Sequence, residues 1–485
     1  MASTDEEKNG LDAHRFAPYD CDLRGLVAQM LGQDAPRTHP VQTRLSKMQG
    51  TRSNAAQLSR KSDLTLPIGK LLVIGAVWPE PDSSAAGAHM MQVLRPLIRE
   101  GWTVTFASTA TDSPYAVDLS TYGIAIEHTK VNNPAFDTLL SSLRPDIVLF
   151  DRFFIEEQFG WRVEQQCPDA LRILNCEDLH FLREARERSH RAGQSTEDSD
   201  LQNEVARREI AAILRSDLSL IISHFEIEVL VDTFQIDPEL LQYCPFMIDT
   251  PTSAEKHDMP TFEYRHDFFS VGNLRHAPNW DGVQWLKTEI WPLIHKRLPK
   301  AHLHLAGAYA SQEQMALHEP GQGFFMDGRI EDADVRFRGS RICLAPLRFG
   351  AGLKGKLIDA MRNGTPSVTT SMGVEAMSGS LSWGGRIEED ATSIADAAVR
   401  LYENRPDWER AQTRGFEILE KNFAREDHEP RLIERIALAR KDLALRRKRN
   451  FTGAMLRDHH HRSTRYLSLW IEAKNKLTSA DETSP

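Results

Sequence analysis

The sequence predicts an α/β protein that builds a Rossmann-like, doubly wound parallel sheet twice. Three observations carry this expectation. Short apolar runs alternate with helical patterns from about residue 70 to 223, and the alternation starts again at 267 and runs to 370. Between the two series lies DTPTSAEKHDMPTFEY (249–264), a Pro/Thr/Ser-rich stretch of interdomain-linker composition. Strands joined through helices return to the same sheet in parallel, which gives the doubly wound form.

In the first series, LLVIG (71–75) is an apolar run closed by glycine, a buried-strand signal. The loop WPEPDSSAAG follows, then AHMMQVLRPLIRE, with Met90, Met91, Leu94, Leu97 and Ile98 at helical spacing and Gly101 where a C-cap belongs. WTVTFAS (102–108), GIAIE (123–127), DIVLFD (146–151), LRILN (171–175) and LSLIIS (218–223) continue as strands. Residues 178–216, opening with LREARERSHR, read as a helical excursion on the domain surface.

The second series opens with DFFSVG (267–272). The helix WDGVQWLKTEIWPLIHKRL follows, with Trp285, Ile290, Leu293 and Leu298 on its apolar side and a kink at Pro292. AHLHLAG (301–307) and SRICLAPL (340–347) are strands, GKLIDAMRNG (355–364) a helix closed by Asn363-Gly364, and TPSVTT (365–370) the strand after it. The expected domains are 67–255 and 256–425. Residues 1–66 form a polar, irregular extension, and 426–485 a helical, basic tail.

Composition narrows the function classes. The chain has 485 residues, with 41% hydrophobic and 26% charged residues, as in an ordinary globular protein of two domains with extensions. A net charge of −10 argues against nucleic acid as partner. No run approaches the roughly 18 apolar residues that span a bilayer, and MASTDEEKNG lacks the apolar core of a secretory signal. Cys21, Cys167, Cys176, Cys244 and Cys343 form no CxxC pair and read as free thiols in a reducing compartment, so a cytoplasmic protein is expected. The cluster ARKDLALRRKRN (439–450) reads as a solvated helix end, with peripheral contact to an anionic membrane as the alternative. In RYLSLWIEAKNKL (465–477), Tyr466, Leu469, Trp470 and Leu477 share a helix face expected to dock on the body, with lipid as the alternative. His459-His460-His461 is weak evidence for a metal.

Doubly wound sheets bind ligands beyond the carboxyl ends of their strands, so the loops there are the candidate sites. Ser83–Gly87 opens a helix, and Gly87 would let the backbone approach a phosphate; a plain strand–helix turn is the alternative. In VGNLRHAPN (271–279), Gly272 frees the strand end, Arg275 or His276 could meet a phosphate, and Asn279 is expected to cap the next helix. APLRFGAGLKGKLIDAMRNGTP (345–366) spaces Gly350, Gly352 and Gly355 around Lys354 and Lys356 at a helix N-terminus, with Asp359 one turn on. That arrangement suits a diphosphate and a ribose diol better than a surface Lys–Asp pair. Gly373 and Glu375 in TTSMGVEAMSG (369–379) could border the same cleft. In the first half, Asp151, Glu177, Asp178 and His180 follow strands, and His180 could act as a general base or a hydroxyl ligand.

VGNLRHAPNWDGVQWLKTEIWPLIHKRLPKAHLHLAG and APLRFGAGLKGKLIDAMRNGTPSVTTSMGVEAM resemble the donor domain of group 1 (family 4) glycosyltransferases, and PEPDSSAAGAHMMQVLRPL, DIVLFDRFFIEEQFGW and EDLHFLR resemble its N-terminal half. The resemblance spans about residues 70–430. It implies a GT-B fold, two facing Rossmann-like domains with the tail helix crossing back to the first. It also implies transfer of a sugar from a UDP-, GDP- or ADP-sugar, with retained configuration and no required cofactor or metal. The acceptor would be a carbohydrate or lipid-linked hydroxyl. Lys356 then matches the phosphate-binding lysine and Asp359 the second glutamate of the Glu-x7-Glu motif, which holds the ribose. Gly87 matches the N-domain glycine loop, and Gly350 and Gly352 border the sugar. Three positions depart: Ala351 stands where the first glutamate would be, Asp359 is one methylene shorter than the glutamate it matches, and Asn273 replaces the Arg of the Gly-Arg loop, with Arg275 as its substitute. The expected catalytic set is Lys356, Arg275 and His180. A GT-B nucleotide-sugar 2-epimerase and a catalytically degenerate binding protein are the alternatives.

Overall fold

The computed structural model describes residues 67–482, with side chains from 67 to 477. The extension 1–66 and Cys21 lie outside the described residues.

The first sheet has strands β1 (Lys70–Gly75), β2 (Thr103–Ser108), β3 (Ala125–His128), β4 (Ile147–Asp151), β5 (Leu171–Asn175), β6 (Leu218–Ile221) and β7 (Leu241–Tyr243). All pair in parallel, in the order β3-β2-β1-β4-β5-β6-β7. Helices cover both faces, which explains why β1 and β4 carry the near-continuous apolar runs LLVI and IVLF. Those used below are α1 (Ala85–Arg99), α2 (Phe153–Gln166), α3 (His180–Arg191) and α4 (Glu204–Arg215). Ser84 caps α1 by accepting from the N–H of Gly87 at 3.0 Å. α3 has no capping side chain of its own; the buried carboxylates of Glu226 and Glu209 accept from Leu179 N (2.9 Å) and Phe181 N (3.1 Å) instead.

The second sheet has β8 (His266–Val271), β9 (Leu303–Ala306), β10 (Phe324–Gly328), β11 (Ser340–Ala345), β12 (Ser367–Thr369) and β13 (Gly385–Ile387), in the order β10-β9-β8-β11-β12-β13. It is parallel throughout. Helix α5 (Ala277–Trp285) follows β8, and α6 (Gly355–Arg362) follows β11. Where a kink at Pro292 was expected, the helix runs on from Ala277 to Arg297 through a π turn at Leu286–Ile290, and Pro292 follows that wider turn directly. The extra residue of the π turn rotates the apolar face. Trp291 and Ile294 are buried, whereas Leu293 is 39% exposed.

Helix α7 (Arg425–Lys441) leaves the second sheet and buries Leu432, Ile436, Ala437 and Ala439 in the first sheet's core beside Leu71 and Val73. The basic cluster after it is not simply solvated. Arg440 pairs with Asp146, Arg446 with Glu239, and Arg447 with Asp217.

The last helix, α8 (Phe451–Glu482), lies on α2 and α4, but not by the face expected. Arg457, His461, Ser468 and Glu472 are buried, while Tyr466, Leu469, Trp470 and Leu477 are exposed. The buried side is an ionic seam. Arg162 of α2 binds Ser468 (3.1 Å) and Glu472, Glu156 binds Arg215 at 3.0 Å, and His461 binds Glu164. Two members of the histidine run likewise meet protein partners, His461 as above and His460 approaching the Glu157 carbonyl at 3.3 Å.

Candidate active site

In each sheet the strand order reverses beside its first strand, between β1 and β4 and between β8 and β11. Crevices at such switch points open beyond the carboxyl ends of the strands. The candidate residues collect there.

Lys356 sits in the first turn of α6, and its ammonium donates to Asn279 Oδ1 at 2.8 Å. Asn279 does not cap α5 as expected: His276 occupies the N-cap position, and the Asn279 amide donates to the Asn273 carbonyl at 3.0 Å. Gly272 is what lets these groups meet. A Cβ there would stand 2.7 Å from Asn279 Nδ2 and 3.0 Å from Lys356 Nζ. Burial pushes the Lys356 ammonium down to about 8, with Lys354 adding to the effect. Among the described residues Lys356 forms no ion pair. A Cβ on Gly355 would lie 2.8 Å from that of Ala85, so the N-termini of α6 and α1 abut across the cleft. Both ends carry positive partial charge, and a desolvated ammonium lies beside them.

The other glycine-loop residues divide. Lys354 is buried and spends its ammonium on its own loop, donating to the carbonyls of Gly352 (2.6 Å) and Ala351 (3.3 Å). Asp359 faces Arg362 at 3.6 Å rather than Lys356, and stays partly exposed. Gly352 has φ +64° and donates its N–H to Glu226 Oε1 at 3.0 Å; a Cβ there would stand 2.9 Å from that of Asp178. Ala351 is buried in the first sheet's core together with Cys176 and Leu179. The loop after β11 is thus inserted into the opposite domain.

A clamp that sequence reasoning missed holds it there. Arg186 of α3 donates to Glu375 with both terminal nitrogens, each at 2.7 Å, and to the Gly350 carbonyl at 2.8 Å. Residues 178–216 therefore form a wall of the cleft, not only an outer surface, and Glu375 is engaged by protein. Gly373 is buried in the short turn Ser371–Val374, capped by Thr370. Burial, with Asp178 adding to it, pushes the Glu226 carboxyl up to about 7. Nothing in the pattern HFEIEVL singles out Glu226; only its fold position does.

At Gly87 the space a Cβ would fill is taken by the backbone of Glu80, 2.5 Å away at its nitrogen, and the Gly87 N–H is given to Ser84. Arg275 stacks its guanidinium on the Tyr309 ring at 4.1 Å, and Tyr309 donates across the cleft to Glu80 Oε1 at 2.6 Å. Asn273 accepts from Arg275 N at 2.9 Å, closing the turn.

On the first-domain side, Asp178 pairs with Arg183 and lies 3.5 Å from His180 Nε2. Burial holds the His180 imidazole down at about 4, against the pull of Asp178, so it is neutral at pH 7. Behind it, Asp151 and Glu177 are buried, and His89 faces Glu177 at 3.5 Å. Arg152 (φ +73°) and Glu177 (φ +61°) hold backbone conformations unusual for residues other than glycine, and both sit at strand ends lining the cleft. At the opposite, amino end of the second sheet, the ligating atoms of Asp267, His302 and His304 lie within 4.8 Å of one another. Cys167, Cys176, Cys244 and Cys343 are free and buried. No described helix is long and apolar enough to cross a membrane.

Residues 265–404 match the family described as glycosyl transferases group 1. A protein encoded in the cps region of Klebsiella pneumoniae, of 44.6 kDa and uncharacterised, is 24% identical over 160 residues, 32% of this chain and 41% of the relative. The chain thus spans less than half of that relative's length. Among solved structures, sucrose-phosphate synthase of Thermosynechococcus elongatus superposes with a TM-score of 0.57 at 15% identity, over 78% of this chain and 99% of the other. Anabaena HepE in complex with UDP and glucose superposes with a TM-score of 0.58 at 11% identity, over 76% and 99%. The shared fold is GT-B, two parallel-sheet Rossmann-like domains.

Proposed function

We propose that this group 1 glycosyltransferase moves a sugar from a nucleotide-sugar donor to a hydroxyl acceptor with retention at the anomeric carbon. The observation that carries the reading is the convergence of the Lys356 ammonium with the N-termini of α6 and α1 at the switch point of the second sheet. A desolvated cation without an ion pair costs stability, and a diphosphate would compensate it. The Anabaena relative that shares the fold holds UDP and glucose, which supports a nucleoside-diphosphate sugar as the ligand class.

In this reading the diphosphate lies against Lys356, Gly272 and the N-H groups of α6, and Asp359 accepts from the ribose diol. The bond from the anomeric carbon to the diphosphate oxygen breaks while the acceptor oxygen bonds on the same face. The acceptor proton passes to the leaving phosphate. Negative charge grows on that phosphate, and Lys356 with the helix ends stabilises it. Neutral His180, set by Asp178, serves as a hydroxyl ligand. Arg275, committed to Tyr309, shapes the cleft wall, and Glu375 with Arg186 holds the glycine loop.

A second reading, a nucleotide-binding protein without turnover, draws on Ala351 and Asp359 standing where the family sets two glutamates. The deciding experiment measures nucleoside-diphosphate release from UDP-, GDP- and ADP-sugars by wild type and by Lys356→Ala. Release by wild type alone supports transfer. Nucleotide binding without release supports the second reading, and neither binding nor release refutes both.

A further inference from the structure

We propose that α8 seats the protein on an anionic lipid surface. The helix is inverted relative to an ordinary surface helix, which turns its apolar stripe inward. Here the inward stripe is polar: Arg457 donates to the Arg215 carbonyl at 3.2 Å, Ser468 accepts from Arg162, and Glu472 and His461 are buried in ion pairs. Gly453 allows the close approach, since a Cβ there would stand 2.1 Å from the Leu214 carbonyl. The position of α8 is therefore fixed by polar contacts.

The outward side holds Phe451, Met455, Tyr466, Leu469, Trp470 and Leu477, exposed by 69, 52, 69, 42, 60 and 69%. At 3.6 residues per turn these six fall within a sector of about 100°. An apolar stripe of this size on the outside marks a binding surface. His459 and Arg462 lie in the same sector between Met455 and Tyr466; aromatic rings with basic residues among and beside them are the composition of helices that lie in a membrane interface.

Charge selects the occupant. Lys448, Arg449, Arg462, Arg465, Lys474 and Lys476 are exposed along the same stretch, against Asp458 as the exposed acid between 448 and 477. The chain as a whole carries −10. A second copy docking through this face would bring like cations together. Residues 1–66 hold nine basic and eight acidic residues and offer no complement. Anionic headgroups do complement it, and the stripe between the cations fits the acyl boundary beneath them. The Lys474 ammonium lies 5.4 Å from the centre of the Trp470 ring, an amphipathic pair suited to that depth.

This inference stands apart from sugar transfer, and Lys356→Ala should bind lipid like wild type. The test is co-sedimentation of the full chain with vesicles of phosphatidylcholine alone and of phosphatidylcholine with phosphatidylglycerol. The expected result is binding to the anionic vesicles only, weakened by salt. Binding should fall by about tenfold or more in Tyr466→Ser/Leu469→Ser/Trp470→Ser and in Arg462→Glu/Arg465→Glu, with unchanged melting temperatures because the changed side chains are exposed. Absence of binding to anionic vesicles, or equal binding by both variants, overturns the proposal. So does a wild-type dimer in analytical ultracentrifugation that the first variant converts to monomer.

Discussion

Replacing Lys356 by alanine separates what the residue does for stability from what it does for catalysis. In the fold its ammonium makes a 2.8 Å hydrogen bond to the neutral Asn279 amide and forms no ion pair among the described residues. Losing that bond costs about 1 kcal/mol. Burial holds the ammonium at about 8, below the ordinary 10.5, so the folded protein binds its proton less tightly than the unfolded chain does. The charged form therefore weakens folding below pH 8. In wild type stability should rise from pH 8 to 10.5, and in Lys356→Ala that rise should be missing. At pH 7 the variant should melt at or above the wild-type temperature. Turnover should move the other way. A fixed cation beside a developing phosphate charge is worth about 3 kcal/mol, a factor on the order of 10² in rate. Because a diphosphate would favour the ammonium, nucleotide binding at pH 8–9 should take up a proton in wild type and not in the variant. Calorimetry in two buffers of different ionisation enthalpy reads that uptake. Turnover within a few-fold of wild type, or unchanged proton uptake, would refute the placement of the diphosphate on Lys356.

Three further outcomes follow from the cleft and the helical seam. Gly352→Ala places a Cβ at φ +64° and 2.9 Å from that of Asp178, so it should lower stability by about 1–3 kcal/mol in urea titration and reduce turnover as the loop shifts. Arg186→Ala removes the clamp on Glu375 and Gly350; limited proteolysis should cut the 346–354 loop faster, and KM for the donor should rise more than kcat falls. Glu156→Gln leaves the buried Arg215 without its carboxylate and should cost about 3–5 kcal/mol. In wild type Arg215 and His461 outweigh the burial of Glu156 and hold it at about 2. Its contribution is present above the ordinary 4.5 and is lost as pH falls toward 2, an acid-unfolding step the glutamine variant should lack.

The long strands and the helices after them were legible because short apolar runs such as LLVIG (71–75) and DIVLFD (146–151) alternate with stretches of helical spacing. Strands β7, β10 and β13 were not. Two are three residues long, and β10 is an edge strand whose FFMDG carries no period. The π turn at Leu286–Ile290 was hidden because one added residue rotates a helix face without changing composition. In the candidate site, the placing of Lys356 at a helix N-terminus and of Gly272 at a strand end was legible, because the apolar strand and the helical spacing on either side fix where the junction falls. Arg186 and Glu226 were not, since a charged run and a lone glutamate look like solvated surface until the fold buries them. Gly87 was placed correctly at a helix start, but its missing Cβ makes room for protein, a distinction spacing alone does not hold.

Ala351 shows why departure from the family pattern need not signal decay. The resemblance sets a sugar-binding glutamate at this position, yet here the residue is buried among Cys176 and Leu179 of the opposite domain, 9% exposed. Its neighbour Gly352 rests on Glu226 and against Asp178. A glutamate in this setting would bury a third carboxylate beside two others, and Asp178 already raises the Glu226 carboxyl. Like charges at that range push protonation upward or push the loop out. Ala351→Glu is therefore expected to destabilise the protein and to lower turnover, not to restore a missing contact, and a melting curve beside a diphosphate-release assay reads both. In the proposed reading, His180 and Asp178 at the cleft would supply the sugar contacts that a glutamate would otherwise make. On this view the substitution belongs to a different way of closing the two domains, with the loop packed into its partner domain and pinned by Arg186. A gain of turnover in Ala351→Glu would show instead that the cleft is an ordinary one with a part removed.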